Sequence, residues 1–436
     1  MLVALGLGGC RLDARVAVPS CPGGAPVETQ FHDEVFSGGA GEIGEAGGVT
    51  WVLGSVAGAD GFRHALAHLD RAGGLVITPL AMSVEMAATR EDRIWLFAAR
   101  PTPRWAVVDV RDPDAPVVGV EVPLALGVTE MFASGFAAGS LRAVVVQDRD
   151  SVVMIETATG AAVAPPAALP EGFETLHAEC GEDRCVVVGV VDRYDDDRRR
   201  VVAVRVRADG SVLAEPLSPP GIEEPFAEDQ GGRVFAGWFA GRSVQLWALD
   251  DEGRVLARSS LSLVRGEFYR AELLVGVDGV SLAVNRLLRK DWEVVEIHAS
   301  GRLGRRRVVA GSGLVGLLGA PLDDGLALYN LSDSVDYVTT GQYSFHNWET
   351  TARVGFVAAP GRDPQWREVA PKRGDGSEGS HVRVLTRPGA VGVLHTWHEG
   401  ISTAGSPARF VPLRVPCWAS RGGAVPRDLS MVRDQR

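Results

Sequence analysis

Lysine is nearly absent from this chain of 436 residues. It occurs only at Lys290 and Lys372, so arginine supplies almost all of the basic side chains. The formal net charge is -11, and the basic residues are mixed with acidic ones along the chain. Nucleic-acid binding needs clustered cations that contact phosphates. We therefore expect no nucleic-acid partner.

Long apolar stretches and known catalytic motifs are also missing. No segment after the first residues is apolar for the length that a membrane-spanning helix requires. The chain has no P-loop, no dinucleotide-binding glycine fingerprint, no nucleophile elbow and no zinc-binding HExxH helix. We predict no cofactor, no metal and no catalytic residue. The question of enzymatic activity stays open, with a non-catalytic role favoured.

Glycine, proline and apolar residues are plentiful, and they recur in a pattern. The chain has 53 glycines, 25 prolines and 46% hydrophobic residues, a composition that favours many short strands. Five segments contain an alternating strand, a polar turn ending in glycine, and a second strand. The turn glycines are Gly73, Gly160, Gly210, Gly253 and Gly301. In a sixth segment, Asp112-Pro113 replaces the glycine, and the turns then recur at a spacing typical of propeller blades.

A second strand pair precedes each of these hairpins, for example FETLHAEC followed by CVVVGVVDR. Four strands per repeat predict an all-β propeller of four-stranded antiparallel blades, with eight blades preferred and seven as the alternative. A β-sandwich is the main rival. We assign residues 49–418 to the propeller and residues 419–436 to a C-terminal tail. The last blade lacks an outer strand, which residues 11–48 could supply.

The first ten residues resemble the lipobox of bacterial lipoproteins. The apolar segment MLVALGLGG ends at Cys10, which follows Leu7-Gly8-Gly9. The resemblance implies that residues 1–10 are the remnant of a signal, that Cys10 carries the lipid, and that the protein is exported and anchored at the bacterial envelope, facing the periplasm or the cell surface. A buried strand with an incidental cysteine is the alternative.

The other four cysteines can form two disulfides. Cys180 and Cys185 flank a turn-like tetrapeptide, a spacing that suits a bridge across a hairpin. Cys21 and Cys417 lie near opposite ends, which a ring-shaped fold brings together, and a bridge there would close a long loop. Four reduced cysteines in a cytosolic protein remain the alternative.

One blade, at residues 106–120, resembles the LVIVD repeat of bacterial surface propellers. Its sequence VVDVRDPDAPVVGV has the hydrophobic strand, the aspartate and the DP-x-x-P turn of that repeat. The resemblance covers this blade alone and implies the propeller class.

Polar and aromatic residues are densest late in the chain, in an insertion expected around residues 333–350 and in the segment that contains His395. The weak candidates for ligand binding are His346, Trp348, His395, Trp397 and His398. They could hold a metal or a sugar, but loop aromatics that shield a blade edge are the favoured interpretation. His64 and His68, four residues apart in a strand-like segment, are interpreted as surface histidines.

The absence of a catalytic constellation favours a non-catalytic binding or scaffold propeller, which presents the loops of one ring face to an envelope protein or a glycan. The alternative is an extracytoplasmic enzyme acting on glycans, as a hydrolase or a lyase. That enzyme would need two carboxylates in the central funnel, about 5–10 Å apart.

Overall fold

In the residues that it describes, the computed structural model of this chain contains 33 β-strands. It describes the backbone of residues 30–31, 36–58, 61–71, 73–100, 102–124, 133–147, 149–263, 268–276, 279–286, 291–310, 317–322, 325–340, 343–357, 365–374, 380–387, 390–397 and 408–413. Side chains are described for residues 44–56, 63–71, 73–100, 102–124, 133–147, 149–263, 270–275, 279–285, 292–306, 308, 385–387, 392 and 394. Within these ranges, no helix is long and apolar enough to cross a membrane.

The strands form eight antiparallel sheets, numbered here in chain order. Sheet 1 contains β2 (Phe36–Ala46), β3 (Val49–Gly58), β4 (Gly61–Leu69) and β5 (Leu75–Pro79). Sheet 2 contains β6 (Met86–Arg90), β7 (Arg93–Ala98), β8 (Arg104–Asp109), β9 (Val117–Val118) and β10 (Val122–Pro123). Sheet 3 contains β11 (Ala133–Ala138), β12 (Arg142–Gln147), β13 (Ser151–Glu156) and β14 (Ala167–Ala168). Sheet 4 contains β15 (Glu174–Cys180), β16 (Cys185–Val191), β17 (Arg200–Val206) and β18 (Val212–Pro216).

The second half of the chain repeats this organisation. Sheet 5 contains β19 (Glu223–Asp229), β20 (Arg233–Ala240), β21 (Ser243–Asp250) and β22 (Val255–Ser262). Sheet 6 contains β23 (Phe268–Gly276), β24 (Gly279–Arg286), β25 (Asp291–Ile297) and β26 (Leu303–Ala310). Sheet 7 contains β27 (Leu317–Leu322), β28 (Gly325–Thr340), β29 (Tyr343–Val357) and β30 (Gln365–Gly374). Sheet 8 contains β31 (Ser380–Arg387), β32 (Ala390–Trp397), β33 (Ala408–Leu413) and β1 (Gln30–Phe31).

The sheets are arranged in a ring. The first strand of each sheet contacts the first strand of the next, from β2 through β6, β11, β15, β19, β23 and β27 to β31, and β31 returns to β2 and β3. Apart from sheet 2, which carries an extra short strand, each sheet has four strands. The predicted all-β propeller of four-stranded antiparallel blades is therefore confirmed.

The core lies between neighbouring sheets, as β16 illustrates. All seven residues of this strand are buried. Cys185 and Val187 pack in a cluster with sheet 3, whereas Val186 and Val188 pack in a cluster with sheet 5. Successive side chains of a strand point to opposite faces. A continuous apolar run is therefore what a blade covered on both faces requires.

The predicted turn glycines adopt the left-handed conformation, with φ of +71° at Gly160, +80° at Gly210 and +78° at Gly301. At Gly301, a Cβ atom would lie 2.5 Å from Cβ of Ala248 in sheet 5. Glycine is thus required there for two reasons: other residues rarely adopt this φ, and the turn packs closely against the preceding sheet.

Two elements differ from the sequence-based expectation. In sheet 3, the segment after Gly160 forms only an isolated bridge between Ile155 and Ala162, and the fourth strand is the two-residue β14. In sheet 7, residues 333–350 were expected to form an insertion. They instead extend β28 and β29 into one continuous hairpin, in which Tyr337 pairs with His346. The two strands pair residue by residue over their whole length, so the apparent insertion is additional strand length.

The ring closes between sheet 8 and sheet 1. The fourth strand of sheet 8 is β1, with Gln30 opposite Phe410 and Phe31 opposite Arg409. The side chains of Thr50 and Thr386 are hydrogen-bonded at 2.6 Å across the boundary. Cys21 and Cys417 lie outside the described residues, so the disulfide between them stays a prediction.

A buried arginine crosses this boundary, which we call the seam. Nη1 of Arg387 donates hydrogen bonds to the backbone carbonyl of Leu69 in sheet 1, at 3.0 Å, and to Asp114 in sheet 2, at 2.5 Å. Nη2 donates a second bond to Asp114, at 3.2 Å. The guanidinium therefore lowers the pKa of the Asp114 carboxyl and ties three sheets together.

His68 lies inside the seam, and its interpretation as a surface histidine was wrong. Its exposed fraction is 0%, and its ring packs against Trp51 at a tilt of 34°, with the centroids 4.3 Å apart. Neither ring nitrogen has a hydrogen-bond partner among the described residues. Burial lowers the pKa of His68 to about 4, with the Asp114 charge opposing the shift. Both faces of a blade are covered, so alternation does not distinguish a buried polar residue from an exposed one.

Candidate functional site

The first strand of every sheet ends at the same face of the ring. Within a four-stranded antiparallel sheet, the first and third turns lie at one edge and the second turn at the other. The sheets repeat this order around the ring, so the first and third turns of all of them meet at one face, here called the cluster face. Charged side chains from sheets 2, 4 and 5 converge at one place on this face.

The ionic cluster consists of five of these side chains. Its members are Arg90, His177, Glu179, Asp229 and Asp251. Arg90 and Asp229 are the last residues of β6 and β19, and Asp251 follows β21. Because β11 separates β6 from β15 in the ring, the contact of Arg90 with Glu179 crosses the inner edge of sheet 3.

The sequence of β15 explains how two members of the cluster share a face. Ala178 and Cys180 pack in the core shared with sheet 3. His177 and Glu179 alternate with them and therefore point to the other side, towards β19 and Asp229. A bulge between Thr175 and His177 sets this register.

The distances within the cluster are short, but few of the contacts are hydrogen bonds. His177 Nε2 lies 3.4 Å from Asp229 Oδ1, and Arg90 Nη1 lies 3.7 Å from Glu179 Oε1. Arg90 Nη2 donates a hydrogen bond to Asp251 Oδ2 at 3.2 Å. One ligating atom from each of His177, Glu179 and Asp229 lies within 4.8 Å of the other two.

Some buried polar atoms of the cluster have no hydrogen-bond partner in the part of the chain that the structure describes. The buried atoms Arg90 Nη1 and His177 Nε2 have no hydrogen-bond partner there. The Glu179 side chain is 8% exposed, and its one described polar contact is the ion pair with Arg90. Buried polar groups in folded proteins are nearly always hydrogen-bonded. Two buried polar atoms without a partner at one place therefore need an explanation.

Electrostatics raises the pKa of Glu179 well above its usual value. The largest cause is burial, which disfavours the carboxylate. The charge of Asp229 adds to this effect, and Arg90 opposes it. Burial lowers the pKa of His177, against the influence of Asp229. The imidazole is therefore held neutral, with a lone pair available on the ring.

A disulfide fixes the hairpin that carries Glu179. The sulfur atoms of Cys180 and Cys185 are bonded, at the position where β15 and β16 meet, so this part of the cysteine prediction is confirmed. In the turn that follows, a Cβ atom at Gly181 would lie 2.9 Å from Asp251 Oδ2. Glycine at this position allows Asp251 to approach the hairpin.

An arginine groove lies beside the ionic cluster on the same face. It has a volume of about 200 Å³ and runs between sheets 4 and 5. Its lining residues are Arg184, Arg205, Val206, Arg207, Leu213, Glu252 and Arg254. The turn after β21 separates the two features, since Asp251 belongs to the cluster and Glu252 to the groove.

Acidic partners hold some of the groove arginines in place. Arg184 Nη1 and Arg254 Nη2 each lie 2.9 Å from Glu252 Oε2, and Arg205 Nη2 lies 2.8 Å from Glu215 Oε2. Arg184 and Arg254 remain about half exposed or more. Four arginines and one glutamate line the groove, and Asp250 also pairs with Arg254, at 2.8 Å.

The structure does not test the ligand-binding residues or the lipidated cysteine that were predicted from the sequence. Backbone pairing places His346 and Trp348 in β29 of sheet 7 and His395 and Trp397 in β32 of sheet 8. Their side chains, and all of His398 and Cys10, lie outside the described residues. The sequence patterns did not indicate the ionic cluster or the groove. Aligning the blades could have found Arg90, Glu179 and Asp229, because each lies at the end of a first strand.

No family model matches the chain, and no curated protein sequence matches it. The resemblance of residues 106–120 to the LVIVD repeat therefore finds no support. Among solved structures, the chain is similar to the computationally designed Ika8 protein (12% identity, TM-score 0.44, 89% of this chain and 100% of that one). It is similar to the Dos1 propeller (9% identity, TM-score 0.41, 88% and 95%). It is also similar to a protein from Lactobacillus plantarum (12% identity, TM-score 0.37, 74% and 97%).

Proposed function

We propose that this protein is a non-catalytic binding propeller of the bacterial envelope, which binds an acidic glycan in the arginine groove. The groove carries the proposal. Guanidinium groups form paired hydrogen bonds with carboxylate, sulfate and phosphate groups, the charged groups of acidic glycans. The exposed arginines lie on neighbouring turns of two sheets, so a rigid scaffold holds them at fixed spacing.

The envelope location rests on two features of the chain. The lipobox-like segment before Cys10 implies a lipid anchor. The Cys180–Cys185 disulfide supports export, because such bonds persist mainly in oxidising compartments. A propeller anchored in this way would meet the glycans of the envelope directly.

Removal of two groove arginines should weaken the binding of polygalacturonate, an acidic polysaccharide used as a probe. The double variant Arg207→Ser/Arg254→Ser is expected to raise the Kd by about tenfold or more, because two charge-assisted contacts are lost. Isothermal titration calorimetry at low and high salt measures this, and the binding should also weaken with salt.

The matched control is Arg149→Ser/Arg242→Ser. These two arginines are exposed and lie in second turns, at the opposite face of the ring, and the change in net charge is the same. Equal weakening in both double variants would show that only the overall charge matters. Unchanged binding in the groove variant would contradict the proposal.

The lipid anchor has its own test. When the tagged protein is expressed from its native locus, Cys10→Ala should move it from the membrane fraction to the soluble fraction. Mass spectrometry of the wild-type N-terminal peptide should show the added diacylglyceryl group. An unmodified Cys10 in membrane-free fractions of the wild type would contradict the anchor.

A glycan-cleaving enzyme is the second candidate, and one observation favours it. Oxygens of Glu179 and Asp229 lie within 4.8 Å of each other, close to the carboxylate separation in retaining glycosidases. Against it, the Glu179 side chain is 8% exposed, which leaves a sugar no access past Arg90. Release of new reducing or unsaturated ends from the probe polysaccharide, abolished by Glu179→Gln, would favour the enzyme.

A further inference from the structure

The ionic cluster contains one group of metal-ligating side chains whose properties the arginine groove does not explain. Among the described residues, His177, Glu179 and Asp229 are the one group in which three such side chains converge. They come from two neighbouring first strands, and the ring holds these strands side by side. We propose that His177, Glu179 and Asp229 bind one divalent transition-metal ion, for which Zn²⁺ is the probe.

The spacing of the ligands suits such an ion. Zinc binds histidine nitrogen and carboxylate oxygen at about 2.0–2.2 Å, so two ligands on a tetrahedral ion lie about 3.3–3.5 Å apart. The separation of His177 Nε2 and Asp229 Oδ1 is 3.4 Å. Glu179 completes the set after a small movement, since its oxygen is within 4.8 Å of both.

The unsatisfied atoms point to the same ligand. The contact between His177 Nε2 and Asp229 does not have hydrogen-bond geometry, and Nε2 is buried without a partner among the described residues. A neutral imidazole nitrogen and two carboxylates are ligands for a borderline cation such as Zn²⁺. An ion at this place would satisfy the buried Glu179 side chain as well.

Arg90 makes the proposal testable in both directions. Its Nη1 lies 3.7 Å from Glu179 Oε1, while Nη2 bonds Asp251. The guanidinium thus offsets the charge of Glu179 but does not form a hydrogen bond with its carboxylate. A bound cation would be repelled by Arg90. Removing this arginine should therefore strengthen metal binding, the opposite of what the removal of a ligand does.

The experiment is a Zn²⁺ titration by calorimetry on the full chain, with free thiols alkylated and the disulfides intact. Wild type should bind one equivalent. His177→Gln and Asp229→Asn should each raise the Kd by about tenfold or more, whereas Arg90→Gln should lower it. The visible absorption of Co²⁺ provides a second readout, since it reports the coordination of the bound ion. His298→Gln, at an exposed histidine in sheet 6, is the matched control and should leave the Kd unchanged.

Two results would overturn the proposal. One is the absence of saturable binding up to about 1 mM Zn²⁺, which corresponds to no more than about 4 kcal/mol. The other is an unchanged Kd in both ligand variants, which would place the ion elsewhere. Circular dichroism checks that each variant is folded. The glycan titration uses other residues, so either proposal can fail while the other stands.

Discussion

Replacing Arg387 by methionine should destabilise the protein by about 3 kcal/mol, because the change leaves the buried partners of the guanidinium unpaired. Asp114 would lose two hydrogen bonds, and the Leu69 carbonyl would lose its side-chain donor. Methionine keeps the length and the packing of the side chain. Urea unfolding at neutral pH measures the loss, and hydrogen exchange should show reduced protection in sheets 8 and 1.

Arg71→Met is the control for this experiment. Arg71 Nε contacts the same Asp114 at 3.0 Å, but its side chain is 78% exposed. Exposed ion pairs contribute little to stability, so we expect a change of no more than about 0.5 kcal/mol. If Arg387→Met is as stable as Arg71→Met, the seam does not depend on the buried arginine.

The stability of the wild type should fall by about 2 kcal/mol between pH 7 and pH 4.5 through His68 alone. Burial lowers the pKa of this histidine to about 4 in the folded protein, below its ordinary value of 6.5. The unfolded chain therefore binds more protons between these values. The contribution of His68 is complete above pH 6.5 and is lost as the pH falls towards 4. Asp114 and Asp70 favour the proton, whereas burial and Arg387 oppose it.

His68→Phe isolates this effect. Phenylalanine keeps a ring against Trp51 and removes two buried nitrogens that have no hydrogen-bond partner among the described residues. Unfolding in urea at pH 7 and pH 4.5 should show a smaller acid loss in this variant than in wild type. The exposed His298→Gln should keep the acid loss of wild type. An equal loss in His68→Phe and wild type would assign it to other groups.

The fold was predictable because each blade is local in sequence. The turn glycines mark the hairpins. Between Gly210 and Gly253, for example, lie the two strands β19 and β20, which precede the hairpin of β21 and β22. In β16, which is covered on both faces, the sequence is a continuous run of apolar residues. After Gly160, the apolar segment is interrupted by Pro165 and Pro166, which disfavour a strand, and the fourth strand there was misplaced. The β28–β29 hairpin was mistaken for an insertion, because no repeat elsewhere has strands of that length.

The candidate sites were not predictable in the same way. Arg90 and Glu179 lie in sheets 2 and 4, and only the curvature of the ring brings them together across sheet 3. Their partners Asp229 and Asp251 come from a further sheet. The groove likewise combines third turns of sheets 4 and 5. The strand pattern of a blade is local in sequence and can be recognised there, whereas the sites form from residues of different blades.

The pairing of β1 with β33 also has a consequence for synthesis of the protein. Gln30 lies opposite Phe410, so the partner of the first strand is made 380 residues later. At about 5–20 residues per second, a ribosome needs about 20–80 s for this distance. During that time seven sheets can form from local segments, while β1 has no partner. Until β33 is complete, the nascent chain exposes an unpaired strand that other chains could bind. Its last pairing step is therefore the one that most needs protection during translation.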